Sequence, residues 1–118
     1  MVNTEIFSQK AIKNIPAVNK HICEKRPEPF GVDDSSLLPQ IFERVNNHND
    51  IPDKRKRVIT KASHLFAGII FVQPFKNGNK TTAEIITKYF LQQNGYKLPI
   101  RTEQDSLELI ELEVSISP

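Results

Sequence analysis

Residues 71–83 of the chain, FVQPFKNGNKTTA, collect the polar side chains best suited to chemistry. A helix is predicted to begin near Asn79, and the first turn of a helix exposes unpartnered backbone N–H groups and partial positive charge. Gly78 would let a ligand approach the backbone closely, and Lys76 and Lys80 would add positive charge. These features predict an anion site, most naturally for phosphate. From the residues alone, a plain turn with solvated lysines is the more typical interpretation, because a Gly-Asn pair at a helix start is common.

The other residues that could do chemistry form weaker patterns. His21 and Cys23 point to different faces of a predicted short helix, and neither they nor His48 and His64 have the spacing of a metal site. His64 lies on the helix that leads into the 71–83 segment, where a packing or surface role is more typical than a catalytic one. The basic run DKRKR at 53–57 would suit an acidic partner or nucleic acid, but it is more typical of a solvated helix start.

Two helices are predicted to position this segment, over residues 56–72 and 79–94, because their apolar residues recur at helical spacing. The apolar residues are Val58, Ala62, Leu65, Phe66, Ile69 and Ile70 in the first helix, and Ile85, Ile86, Tyr89 and Phe90 in the second. Asp53 favours the start of the first helix, and Asn94-Gly95 favours the end of the second. Phe75, an aromatic residue isolated among polar neighbours, is predicted to be buried against both helices.

The flanking segments predict further helices. PAVNKHICEKR, residues 16–26, would open at Pro16, and RPEPFGVDD, residues 26–34, is typical of a loop. SSLLPQIFERVNN, residues 35–47, predicts a helix capped by Ser35 or Ser36, with an apolar face of Leu38, Ile41, Phe42 and Val45. NNHNDIP, residues 46–52, is a polar connector, and DSLELIELE, residues 105–113, suits a helix or a strand. The fold class predicted is all-α, a compact helical bundle around the two central helices.

Length and composition limit the classes of protein to consider. The 118 residues suit one domain, with 38% hydrophobic and 25% charged residues. The 16 Lys and Arg residues against 14 Asp and Glu residues do not favour nucleic acid or a membrane as partner. Cys23 is the one cysteine in the sequence, so no internal disulfide is possible and a reducing compartment is favoured as the location of the protein. The N-terminus lacks the pattern of a signal peptide. We expect a cytoplasmic protein, and the final residues, EVSISP, indicate that a last element is cut.

The segment QPFKNGNKTTA, preceded by an amphipathic helix and followed by FLQQNGY, resembles the Fic/Doc family. The family motif is His-Pro-Phe, one variable residue, an acidic residue, Gly-Asn, Gly or Lys, and Arg. The Doc-like branch continues Asn-Lys-Arg-Thr-Ala, where this chain has Asn79-Lys80-Thr81-Thr82-Ala83. PEPFGVDDSSLLPQIFERV and RKRVITKASHLFAGIIF are similar to the preceding loop and helices of the family, so the resemblance covers roughly residues 15–100.

The resemblance implies an all-helical domain that binds ATP, usually with Mg²⁺, over this loop. Most members transfer AMP to a hydroxyl of a target protein, and the Doc-like branch transfers a phosphoryl group instead. The motif histidine accepts the hydroxyl proton, the acidic residue holds the metal, and the Gly-Asn backbone and the arginine contact phosphate. The residues carried over as nucleotide-binding are Lys76, Asn77, Gly78, Asn79, Lys80 and Thr81.

Three positions of the motif differ in this chain, so the active site is degenerate. Gln73 stands at the histidine and has no basic nitrogen near neutral pH, which removes the general base. Asn77 stands at the acidic residue and offers Mg²⁺ only a weak neutral oxygen. Thr81 stands at the arginine, so a charge-assisted phosphate contact is missing. Whether Gln73 arose naturally or was introduced does not follow from the sequence.

The resemblance also bears on control and partners. The inhibitory motif of the family, Ser or Thr, three residues, Glu, then Gly or Asn, does not occur in the chain. We therefore expect control by a separate antitoxin-like protein, as in a toxin–antitoxin pair. The family flap that holds the target segment by strand-like pairing would correspond to NNHNDIP or to the residues just after it. Three hypotheses remain. The first is a nucleotidyltransferase or phosphotransferase that acts on protein hydroxyls (AMPylation or kinase-like), and the second is a catalytically silent protein that binds a nucleotide or a partner. The third is a nucleic-acid-binding protein, which the balanced charge disfavours.

Overall fold

A computed structural model describes residues 9–96 of the chain, with side chains from residue 13 onward. Four helices follow one another: α1 Gln9–Lys25, α2 Leu37–Asn46, α3 Lys54–Val72 and α4 Asn79–Gln93. The described residues form no strand, and their single β pairing is an isolated antiparallel bridge between Val32 and Phe75. The predicted all-α fold class is confirmed. The segment DSLELIELE and the end of the chain lie outside the described residues.

The helices α3 and α4 form the central pair, as the sequence predicts, and pack against each other more extensively than any other two helices. Asp53 caps α3, because its carboxylate accepts a hydrogen bond from the Lys56 backbone N–H at 2.8 Å. The predicted apolar face of α3 is buried, with Ile70 partly so. Polar residues on other faces of α3, such as Thr60 and Ser63, are buried as well. The middle of this helix is therefore surrounded by the rest of the domain, while its two ends are exposed.

The buried face of α4 differs from the one predicted. Ile86 and Phe90 are buried, but Ile85 is 45% exposed and Tyr89 60% exposed. The face buried in the core keeps Ile86 and Phe90 but is completed on the other side by small and apolar residues. Its members are Thr82, Ala83, Ile86, Thr87, Phe90 and Leu91. The helix ends as predicted at Asn94-Gly95. Gly95 has a φ of +84°, and the Tyr96 N–H donates to the Leu91 carbonyl at 2.9 Å, which is a Schellman ending.

The helix α2 presents its predicted face, Leu38, Ile41, Phe42 and Val45, to the core. Gly68 of α3 allows its close approach, because a Cβ atom there would lie 2.9 Å from Ile41 Cγ2. Ser36 occupies the cap position, as predicted, but its side chain makes no capping bond. Its hydroxyl and backbone N–H both donate to the Asp34 carboxylate, and these bonds lower the pKa of Asp34.

The helix α1 begins earlier than the sequence predicts. It starts at Gln9 and contains Pro16 in its interior, so the prediction that Pro16 opens the helix is wrong. An interior proline removes one backbone hydrogen bond and costs about 3 kcal/mol. Packing on both sides of the proline offsets this cost, since Ile15 and Ile22 are buried.

One hydrophobic core joins residues of all four helices and the loop between α3 and α4. Its members are Ile15, Leu38, Ile41, Phe42, Val45, Val58, Ala62, Leu65, Phe66, Ile69, Phe75, Ala83, Ile86, Phe90 and Leu91. Among residues 9–96, no helix is both long and apolar enough to cross a bilayer.

Candidate functional site

The loop between α3 and α4, residues 73–78, begins with an unusual backbone conformation. Gln73 lies at the C-cap of α3 with φ 53° and ψ 65°, in the left-handed region, and its N–H donates to the Ile69 carbonyl at 3.1 Å. A residue with a Cβ atom pays about 1–2 kcal/mol for this conformation. The Gln73 side chain is exposed at the end of α3. A side chain at this position therefore faces solvent at the start of the loop.

Phe75 anchors the loop in the core, as the sequence predicts. Its side chain is 1% exposed and joins the core cluster between the central helices, and the preceding Pro74 is also buried. Lys76, by contrast, is exposed. The loop is thus divided into an apolar half that is fixed in the core and a polar half that faces outward.

Asn79, the first residue of α4, fixes the same loop by two hydrogen bonds to one residue. The Phe75 backbone N–H donates to Asn79 Oδ1 at 3.0 Å, and Asn79 Nδ2 donates to the Phe75 carbonyl at 2.8 Å. Both bonds are partly buried, so water competes with them less than at the surface. Asn79 therefore orders the loop rather than only lining it.

The helix α1 contacts the loop through Asn19, whose side chain is fully buried. Asn19 Nδ2 donates to the Asn77 backbone carbonyl at 2.8 Å and to Thr82 Oγ1 at 3.0 Å. The Cys23 thiol lies 3.6 Å from Asn19 Oδ1 and completes this buried polar cluster. Asn19 does not stand out in the sequence as a site residue, because its partners lie 58 and 63 residues away.

Gly78 is required by this packing. Its φ is +73°, and a Cβ atom there would lie 3.1 Å from Asn19 Nδ2 and 3.4 Å from Ile22 Cγ2. A left-handed conformation and a close neighbour together disfavour a larger residue. With Gly78 as its cap residue, α4 receives no side-chain cap. Within residues 9–96, the backbone N–H groups of Asn79, Lys80 and Thr81 have no acceptor, so they stay available to an anion.

A second loop, between α1 and α2, lies alongside the first. Asn77 Nδ2 donates to the Pro29 carbonyl at 2.8 Å, and the Lys76 N–H donates to the Gly31 carbonyl at 2.8 Å. The Asp33 N–H donates to the Pro74 carbonyl at 3.1 Å, beside the Val32–Phe75 bridge. Strand-like pairing in the described residues is therefore made by residues 31–33. The connector 46–52, for which the resemblance predicts the flap, contacts α3, where its Ile51 carbonyl accepts from Arg57 Nη1 at 2.8 Å. Its role as a flap stays a prediction.

Cationic groups gather at the start of α4. Lys80 is exposed in the first turn, which contains no acidic residue. Arg26, just beyond the end of α1, donates a hydrogen bond from Nη2 to Thr81 Oγ1. Arg26 does not stand out in the sequence either, because no local pattern relates it to a residue 55 positions away. Two exposed cations, Lys80 and Arg26, therefore lie at the first turn of α4, whose N–H groups carry partial positive charge.

The described residues do not fit a magnesium ion held by the protein. They contain no group of three or more His, Cys, Asp and Glu side chains that could hold a metal. Asn77, the predicted weak metal ligand, uses its amide nitrogen to hold the second loop and retains one neutral oxygen. Magnesium is usually held by carboxylates together with substrate phosphates. The neutral oxygen of Asn77 is therefore a weak replacement for a carboxylate ligand.

The other candidate residues lie apart from this surface or point elsewhere. The rings of His48 and His64 stack with centroids 4.2 Å apart, so His64 packs against the α2–α3 connector. His21 is exposed while Cys23 is buried, which places them on different sides of α1, as predicted. In the basic run 53–57, Asp53 serves as a helix cap and Lys54, Arg55 and Lys56 are exposed.

Comparison with known families identifies this arrangement. A family model described as Fic/DOC family matches residues 9–91, well over half of the chain. The chain belongs to the Fic/Doc family. This match confirms the predicted family and contains the whole loop between α3 and α4, which we now call the motif loop (residues 73–78). The Doc-like branch stays a prediction. No curated protein and no solved structure gives a significant match to the chain.

Proposed function

We propose that this protein binds ATP at the motif loop and the first turn of α4, and transfers AMP or a phosphoryl group from it to a hydroxyl of a target protein. Membership of the Fic/Doc family supports an activity of the AMPylation type. The observation that carries the proposal is the conformation of Gly78. It leaves the first N–H groups of α4 without acceptors beside Lys80, in the arrangement that suits phosphate oxygens.

The motif loop supplies binding and orientation in this proposal. Phosphate oxygens would accept hydrogen bonds from the N–H groups of Asn79 and Lys80, and the Lys80 ammonium would balance their charge. Lys76, Asn77 and Thr81 would line the same surface. The target hydroxyl attacks either the α-phosphorus, which releases pyrophosphate, or the γ-phosphorus, which releases ADP. Lys80 matches the Doc-like branch, which favours phosphoryl transfer.

Gln73 would limit the rate of either reaction. Its side chain is exposed at the start of the motif loop, where its amide could hydrogen-bond to the target hydroxyl. An amide does not accept the hydroxyl proton, which must then pass to water or to a phosphate oxygen. Loss of a general base typically lowers the rate by about 10²–10⁴. We therefore propose a slow transferase.

A second candidate function is a catalytically silent protein that binds a nucleotide or a protein partner. The contacts of two replaced motif residues favour it. Asn77 holds the second loop through the Pro29 carbonyl, and Thr81 accepts a hydrogen bond from Arg26. Both residues thus have structural partners in place of the catalytic roles of the family.

Under either function, we propose a cytoplasmic protein controlled by a separate antitoxin-like inhibitor.

Incubation with ATP and a cell lysate, followed by mass spectrometry of modified hydroxyls, tests the proposal. An added AMP and an added phosphate differ in mass, so one experiment reports both activity and reaction type. The Gln73→His variant is expected to raise the signal roughly 10²–10⁴-fold. Gln93→His, exposed at the far end of α4, is the matched control and should leave the signal unchanged. If Gln73→His binds ATP but modifies no protein, the silent function replaces the transferase.

A further inference from the structure

We infer that Arg26 provides the guanidinium of this anion site and binds a phosphate group of the nucleotide from the end of α1. This inference rests on the proposed function, because it names a ligand-binding residue of the same site. Thr81 has replaced the arginine of the family motif, so α4 itself supplies no guanidinium in its first turn. Arg26 brings one to the same turn from a different part of the chain.

The backbone around Arg26 holds it beside α4. The Arg26 N–H donates to the Cys23 carbonyl at 3.2 Å, and the Glu28 N–H donates to the same carbonyl at 2.9 Å. The preceding turns of α1 are fixed to the motif loop by the buried side chain of Asn19. Arg26 Nη2 then donates to Thr81 Oγ1 on the third residue of α4. The guanidinium is therefore placed beside the unpaired N–H groups before any ligand binds.

Most donors of the guanidinium stay free for a ligand. Arg26 carries five N–H donors, and Thr81 accepts from one of its nitrogens. The nearest carboxylate oxygen is Glu28 Oε1, 4.0 Å from Nη1, in a pair whose side chains are 49% and 37% exposed. An exposed pair at that separation adds little and is readily displaced. A phosphate, which matches the planar fork of a guanidinium, would bind Arg26 more strongly.

The charge at this end of α4 indicates what the ligand must be. The N-terminus of a helix carries partial positive charge, so cations beside it are unfavourable. Here Lys80 and Arg26 lie beside the first turn, which contains no acidic residue to offset them. An anion with several negative oxygens would neutralise the helix N-terminus, Lys80 and Arg26 together. The triphosphate of a nucleotide has this chemistry, and it requires no carboxylate-bound metal from the protein.

Calorimetric titration of the full chain with ATP in the presence of EDTA tests the role of Arg26. Arg26→Gln should weaken binding roughly 10- to 100-fold, the effect of losing a hydrogen bond between charged groups. Lys25→Gln is the matched control, because Lys25 is exposed in the last turn of the same helix and carries the same charge. It should weaken binding less than about twofold.

A rescue variant separates a direct contact from a general loss of charge or of folding. Adding Thr81→Arg to Arg26→Gln returns a guanidinium to the same turn and should restore most of the lost affinity. If the wild type binds ATP and Arg26→Gln binds equally well, the inference is wrong and the proposed function stands. If Lys25→Gln weakens binding as much as Arg26→Gln, or the rescue fails in a folded protein, the inference is also wrong. If the wild type does not bind ATP, both the inference about Arg26 and the proposed function are wrong.

Discussion

The side-chain amide of Asn79 binds both backbone polar groups of Phe75. Its oxygen accepts the Phe75 N–H at 3.0 Å, and its nitrogen donates to the Phe75 carbonyl at 2.8 Å. This pair of bonds joins the residue that enters the core to the residue that starts α4. The polar part of the motif loop is therefore fixed by the same residue whose backbone N–H faces the proposed ligand. Its order does not depend on a bound nucleotide.

Asn79→Ala removes both hydrogen bonds and leaves two partly buried backbone groups of Phe75 without partners. We expect the free energy of unfolding to fall by roughly 1–3 kcal/mol, the cost of unsatisfied buried polar groups. Urea denaturation measures it. Lys80→Ala is the control, since the exposed side chain of this neighbour makes no hydrogen bond in the described part of the chain and its loss should change stability little. Equal stability of the two variants would contradict the anchoring role of Asn79.

Phe75→Ala should lower the free energy of unfolding by roughly 3–5 kcal/mol, because the ring is buried in the core. Phe71→Ala provides a comparison only four residues away, where the side chain is 68% exposed. That variant should lose much less stability. Thermal denaturation of both variants distinguishes the two positions, and similar losses would show that the motif loop is not anchored by Phe75.

Gln73→Gly should stabilise the protein by up to about 1.5 kcal/mol. Glycine relieves roughly 1–2 kcal/mol of left-handed strain and loses about 0.4–1 kcal/mol through greater freedom in the unfolded chain. Gln92→Gly, placed in the helical backbone of α4, should instead destabilise the protein by up to about 1 kcal/mol. Chemical denaturation gives the sign of each change. A loss of stability in both variants would argue against strain at Gln73.

Asn19→Leu should lower the free energy of unfolding by roughly 1–3 kcal/mol, because the Asn77 carbonyl and the Thr82 hydroxyl lose their shared donor. Asn14→Leu, on the exposed side of the same helix, is the control and should change stability little. Hydrogen exchange adds a local measurement: the amides of the motif loop should exchange faster in Asn19→Leu only. Unchanged exchange would show that α1 does not hold the loop.

Local features of the sequence predicted the central helices and the burial of Phe75. Helical spacing and the end signals at Asp53 and Asn94 act within a few residues, so the bounds of α3 and α4 follow from them. The buried face of α4 was predicted less well. Ile85 and Tyr89 fit an apolar stripe, but α3 packs against the side where smaller residues such as Ala83 allow close approach.

The supporting contacts of the site could not be predicted from local spacing. Asn19 and Arg26 act on residues more than fifty positions away, and single polar residues on a helix carry no sign of a distant partner. Pro16 likewise predicted a helix start, because its local preference takes no account of the packing of Ile15 and Ile22. These relationships become apparent only when α1 is placed against the motif loop.

Nuclear magnetic resonance of the ¹⁵N-labelled protein, titrated with a non-hydrolysable ATP analogue, tests the central claim most directly. If the motif loop binds phosphate, the amide signals of Gly78 and Asn79 should shift in a saturable manner, and those near Asp53, at the opposite end of α3, should not. Gln73→His should show the same shifts, since the histidine adds a base and not a phosphate ligand. No shift at Gly78 or Asn79 with millimolar nucleotide would show that the loop is a turn between two helices and not a nucleotide site.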